Sequence, residues 1–155
     1  MKTEFRRACR FAAAASAVLI LCSCASNAQA PAADPAAEAG RAALACTLPT
    51  NCVDSLGGGS HGPLRYEGTP AQGLAQLQAT LADFPEARIV RADAQSLEAV
   101  FTTPIGFRDL VDFRIDAAAH RIDYRSRSSF GLFDFGKNRS RMTAFAARFA
   151  QNARH

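Results

Sequence analysis

Arginine and serine alternate at Arg125, Ser126, Arg127 and Ser128, and a glycine-punctuated, aromatic stretch follows them as far as Met142. Five cationic side chains, three phenylalanines and a single aspartate lie within residues 125–142. In a strand, alternation sends every second side chain to the same face, so the Arg125 and Arg127 guanidinium groups emerge together. Two such forks side by side suit a carboxylate or a phosphate. Asp134, Asn138 and Arg139 sit beside Gly131 and Gly136, where a glycine-flanked loop entering a helix presents free backbone N–H groups to an anion. The candidate ligand-binding set is therefore Arg125, Arg127, Asp134, Asn138 and Arg139. The structural alternative draws on the same residues: Asp112 and Asp123 are available for cross-strand ion pairs, and Asn138 for a helix cap.

Other chemistry is thinly represented. Ser55, His61 and Asp54 form a triad in composition only, since a run of glycines separates serine from histidine, and no catalytic residue is assigned. The remaining histidines are His120, in an expected hairpin turn, and His155 at the end of the sequence. Phosphate loops, dinucleotide fingerprints and metal-ligand spacings do not occur, so no cofactor and no metal are assigned. Cys46 and Cys52 close a short loop containing Pro49 and read first as a disulfide. A thiol redox or metal role for this pair is the sharper alternative, against which the C-x5-C spacing counts.

The elements that position these residues follow from periodicity. Thr69, Pro70 and Gln72 make a capping box with proline at the first helical position, and Leu74, Leu77, Leu81 and Phe84 follow at helical spacing until Pro85. The period then changes to two, giving strands at 88–91, 96–103, 109–116 and 121–128 with hairpin-length connections. A final helix from Asn138 onward carries Met142, Phe145, Ala146 and Phe149 on one stripe, with Arg139, Arg141 and Arg148 expected off it. Residues 46–62, with three consecutive glycines, read as a loop. The expected fold is α+β: a four-stranded antiparallel meander with two helices packed on one face. The other face carries Asp112, Arg114, Arg121, Asp123, Arg125 and Arg127.

The N-terminus reads as an export signal. Lys2, Arg6, Arg7 and Arg10 form a basic head, and an apolar run at 11–21 is too short to span a bilayer. Leu21, Cys22, Ser23 and Cys24 resemble a lipobox with Cys24 as the lipidated residue, which makes 1–23 a lipoprotein signal peptide. Cleavage after Ala28 or Ala30 is the competing reading and leaves a soluble periplasmic or secreted protein. Residues 24–43, rich in alanine and proline, read as a flexible tether, and 44–155 as a single globular domain.

Net charge over the whole chain is +4, but beyond residue 23 the balance is fourteen basic groups against thirteen acidic ones. Residues 34–120 hold six basic and eleven acidic groups, whereas 121–155 hold eight and two. Internal pairing absorbs most of this charge, so a nucleic-acid partner is not expected.

Asn51, Cys52, Val53, Asp54 and Ser55, then His61 and Pro63, then Gly106, Phe107, Arg108 and Asp109 with Asp112 and Phe113, form three ordered blocks. Together with Arg125, Ser126, Gly131, Asp134, Gly136, Asn138 and Arg139 they resemble the domain of unknown function 1499 family of bacteria and plastids, over roughly residues 44 to 150. The family pattern R-S-x-S-R-x-G is met here with Ser129 at the second arginine, and Thr47 and Leu48 follow Cys46 where the family has a nearby proline. The resemblance implies an architecture and candidate positions, and no reaction.

The function expected from these features is a non-enzymatic binding or interaction module of the cell envelope, anchored by lipid to the outer membrane and facing the periplasm. Its partner is an envelope component or a small anionic ligand. An enzyme or binder acting on a small anion through Arg125, Asp134, Asn138 and Arg139 is the alternative.

Overall fold

A computed structural model describes residues 34–57 and 61–154. The expected signal peptide, the expected lipidation at Cys24, the competing cleavage readings at Ala28 and Ala30, and His155 lie outside the described residues.

The described residues are α+β, with three helices and a mostly antiparallel sheet. Its elements are α1 (Pro35–Ala42), β1 (Cys52–Asp54), β2 (Leu64–Arg65), α2 (Pro70–Ala82), β3 (Ala87–Ala92), β4 (Ser96–Thr102), β5 (Arg108–Asp116), β6 (Arg121–Ser128) and α3 (Lys137–Asn152). Strands β3 to β6 pair in chain order, each antiparallel to the one before. Two short strands, β1 and β2, then pair with β6 along the edge that β5 leaves open. The sheet therefore has six strands where the sequence predicts four. The added pair falls within or just after the segment expected as a loop, because strands of three and two residues are too short to display a period.

Alternation builds the core. Leu97, Ala99 and Phe101 of β4, Val111, Phe113 and Ile115 of β5, and Ile122 and Tyr124 of β6 are buried on one face. Helices α2 and α3 cover that face with Leu77, Leu81, Met142, Phe145 and Phe149. Phe145 lies 5.5 Å from Phe113 and 5.4 Å from Phe84, ring centroid to centroid, so the aromatic contacts tie the helix layer to the middle of the sheet. Burying a ring of this size contributes about 2–3 kcal/mol.

The capping box at α2 forms as the sequence predicts. The Gln72 N–H donates to Thr69 Oγ1 at 3.2 Å, and the Thr69 N–H to Gln72 Oε1 at 2.8 Å. One turn into α2 the helix meets β2's exit: a Cβ added at Gly73 would stand 2.7 Å from the Tyr66 ring. Tyr66 is buried, and its hydroxyl donates to the Asp116 carbonyl at 3.3 Å. Gly→Ala in a helix normally gains up to about 1 kcal/mol. Here Gly73→Ala instead costs about 1–3 kcal/mol by overpacking. The urea midpoint of the variant checks the sign, and a stabilised variant would mean that the Tyr66 ring yields freely.

The opposite face is covered as well, which the sequence does not anticipate. Helix α1 lies there, within the stretch expected to be tether: Arg41 reaches Asp123, and the Ala43 carbonyl accepts from Arg125. Asp34 caps the helix by accepting the Ala36 N–H, and Pro35 begins it. Leu44 and Val100 are buried outside the main core, so this second layer has apolar content of its own. At the β3 edge a bulge between Ile89 and Arg91 and the charges of Arg88 and Arg91 oppose further strand pairing.

A cleft built on two arginines

β6 carries the two guanidinium groups, and the register decides their different fates. Arg125 stands opposite Asp112 of β5. Its Nε and Nη2 donate to Asp112 Oδ2 at 3.2 and 2.7 Å, and its Nη1 donates to the Ala43 carbonyl at 3.0 Å. This arginine is spoken for, as the cross-strand ion pair of the structural alternative requires. Arg127, two residues on, faces Leu110 on one side and Cys52 on the other. Neither neighbour offers a carboxylate. The Arg127 side chain has no hydrogen bond or ion pair among the described residues, and its Nε is both buried and unsatisfied.

A cleft of about 210 Å³ opens here, lined by Thr47, Leu48, Asn51, Cys52, Arg125, Arg127 and Ser128. One wall is the loop closed by Cys46 and Cys52, whose sulfurs are bonded and whose Cα atoms are 5.8 Å apart. The loop is pinned on both sides. The Cys46 N–H donates to Asp54 Oδ2 at 2.8 Å, and Asn51 Nδ2 donates to the Gly131 carbonyl at 2.6 Å. The bonded cysteines are thus a structural element of the cleft. No group of three or more metal-ligating side chains stands together among the described residues, so the metal reading of this pair gains no ligand set there.

The other three candidates do not join the arginines. The serines of β6 alternate with the arginines and point to the core face, where Asn138 meets them: Ser126 Oγ donates to Asn138 Oδ1 at 2.7 Å, and Asn138 Nδ2 donates to Ser128 Oγ at 3.1 Å. Asn138 is 1% exposed and also donates to the Asn51 carbonyl. It is a buried connector between β6, β1 and α3. The N-cap of α3 is Gly136, not Asn138, and Asp134, two residues before it, accepts the N–H groups of Gly136 and Asn138 at 2.9 and 2.8 Å. Burial alone raises the Asp134 pKa, but those N–H groups and the Asn138 amide outweigh it and hold the carboxyl below its usual value. Arg139 stands 3.4 Å from His61 Nδ1. The candidates thus divide between the two faces of the sheet, two in the cleft and three around the start of α3.

The core face also holds a pair absent from the candidate set. Arg141, expected off the apolar stripe, is buried and donates to Asp109 of β5 and, at 2.8 Å, to Asn138 Oδ1. Its guanidinium lies 4.9 Å from the centroid of the Phe101 ring. The signal was present in the spacing. Asp109 is in phase with Val111 and Phe113, and Arg141 lies four residues before Phe145.

The compositional triad disperses. Ser55 Oγ donates to Asp123 at 3.1 Å, Asp54 accepts the Cys46 and Leu56 N–H groups, and His61 lies against Arg139 and Thr143. The Tyr124 hydroxyl donates to the His61 carbonyl at 3.2 Å. Burial, helped by the Asp54 charge and opposed by Arg139, pushes this phenol up to about 12, so it serves as a donor and not as a base.

Among known proteins, the family described as "Protein of unknown function (DUF1499)" matches residues 24–149. The match begins earlier than the stretch from 44 that the sequence blocks suggest, and it takes in α1. No curated protein and no solved structure matches the chain.

Proposed function

The chain belongs to the DUF1499 family, and from that premise we propose that it is a binding module whose cleft takes a small anion, a carboxylate or a phosphate, on Arg127. One observation carries this reading: a guanidinium lining a cleft with its Nε buried and no partner among the described residues. The Arg127 guanidinium, half-buried beside Leu110 and Cys52 with no counter-charge, gains charge-assisted hydrogen bonds when an anion enters the cleft. Arg125, already neutralised by Asp112, contributes shape and a second dipole.

The location we propose is the cell envelope. The basic head and short apolar run favour export, and the cysteine at position 24 favours a lipid anchor that holds the domain on the periplasmic side of the outer membrane.

Titration with inorganic phosphate, followed by calorimetry and by thermal shift, tests the cleft. Phosphate raises the melting temperature of the wild type. Arg127→Gln weakens phosphate binding by roughly tenfold or more, the equivalent of about 1.5–3 kcal/mol for hydrogen bonds to a charged group. Since no internal partner is lost, the same variant leaves stability without ligand nearly unchanged. Failure of phosphate, sulfate and acetate alike to bind, or equal affinity in the variant, would refute the assignment.

A further inference from the structure

Two loops bring six large apolar side chains to one end of the sheet. The β4–β5 turn carries Ile105 and Phe107, and the β6–α3 loop carries Phe130, Leu132, Phe133 and Phe135. The register makes the loops neighbours: Asp109 pairs with Ser128, and the Ser129 N–H donates to the Arg108 carbonyl at 3.0 Å.

These phenylalanines could have plugged the core, but the core closes without them. Phe135 is 99% exposed, Ile105 80% and Phe130 79%. So much neighbouring apolar surface in water marks an interaction surface. The loop that presents it is held in place. Asp134 ties its end to α3, Thr50 donates to the Leu132 carbonyl at 2.5 Å, and Asn51 donates to the Gly131 carbonyl. The backbone is fixed while the side chains point outward.

What covers this surface follows from its exposure and its charge. A peptide helix or strand needs a groove with walls, whereas these side chains sit at loop tips and stand clear of their neighbours, which suits a fluid apolar medium. The rim is cationic: Arg108, Lys137 and Arg139 are exposed, and Arg108 and Lys137 have no carboxylate partner among the described residues. The one carboxylate of the loop, Asp134, is engaged by N–H groups. Apolar tips beside exposed cations complement the boundary between acyl chains and anionic headgroups.

We propose that this end of the domain docks on a membrane surface containing anionic lipids, with Phe130, Phe133 and Phe135 entering the interface. The insertion rests on the loop side chains and not on the cleft reading. The cleft adjoins the base of this loop, since its lining residues include Ser128, which ends β6, and Asn51, which donates to the Gly131 carbonyl.

The chain has no tryptophan, so Phe135→Trp places a single reporter at the tip. With vesicles of phosphatidylethanolamine and phosphatidylglycerol, the full-length variant is expected to show blue-shifted emission and quenching by brominated acyl chains. Both effects weaken on neutral phosphatidylcholine and disappear when Phe130→Ser and Phe133→Ser are added. The readout is local, so membrane contact by residues before 34 does not produce it. Adding Arg127→Gln leaves the blue shift in place, which separates failure of the anion cleft from failure of docking. Emission unmoved by vesicles overturns the proposal, as does a blue shift produced by raising protein concentration alone, which would assign the surface to a second copy of the chain.

Discussion

Replacing Asp109 by alanine lowers the stability of the domain by about 3–5 kcal/mol, the cost of leaving one member of a buried ion pair alone. Asp109 is 3% exposed and Arg141 8%. Without the carboxylate, the Arg141 guanidinium stays between the Phe101 ring and Asn138 Oδ1 with its charge uncompensated. A domain of this size has about 5–15 kcal/mol in total, so the variant lies near the threshold of folding. Two companions keep the test decisive. Asp109→Asn retains the acceptor and loses the charge, and is expected to fall between wild type and alanine. Asp109→Leu combined with Arg141→Met removes both charges and is expected to recover most of the loss, since apolar replacements of a buried pair are often neutral. Urea unfolding of the four proteins gives the comparison. A loss below about 1 kcal/mol in Asp109→Ala would show that water reaches the pair.

The contrast between Asp109 and the expected site residues shows where the sequence was readable. Strands β4 to β6, α2 with its cap, and the apolar stripe of α3 each have a local cause written into consecutive residues: a period, a capping box, a proline. Arg125 and Arg127 share a face for the same reason. What periodicity could not supply was the identity of each residue's neighbour across the sheet. Asp112 stands opposite Arg125 and Leu110 opposite Arg127, and that register alone separates a neutralised arginine from an unpaired one. Sequence alone leaves Asn138 and Asp134 as either a polar loop open to an anion or a cap and counter-charge, whereas Ser126 and Ser128 turn Asn138 inward and Asp134 accepts the N–H groups at the start of α3. Arg141 is expected off the stripe, although its spacing from Phe145 belongs to the buried side. Helix α1 was hidden for a different reason: it buries none of its own residues, so no apolar pattern announces it.

That helix makes a second result expected: Asp123→Ala costs about 2–3 kcal/mol and releases α1. Eight residues are too few for an isolated helix to persist in water, so α1 exists because it is docked. Its anchor is Asp123, 1% exposed, which accepts from Arg41 Nε at 3.4 Å, Ser55 Oγ at 3.1 Å and Arg121 Nε at 3.0 Å. The loss is smaller than at Asp109 because the cations keep other partners: Arg121 retains Asp116 at 2.8 Å and Arg41 retains Glu38 at 3.5 Å. Ser55 also keeps the Tyr124 N–H as a donor to its Oγ. Amide exchange distinguishes local release from global weakening. In Asp123→Ala, residues 35–43 exchange faster than β6 by more than the global loss explains, and Arg41→Gln reproduces the local effect at lower global cost. Protection of 35–43 that stays in step with β6 would mean that Leu44 and the Ala43–Arg125 contact hold the helix by themselves. The consequence extends to the cleft, because the chain leaving α1 passes through Ala43, bonded to Arg125, into the loop that Cys46 and Cys52 close. A freed α1 loosens that wall, so phosphate binding weakens in Asp123→Ala although its carboxylate does not line the cleft.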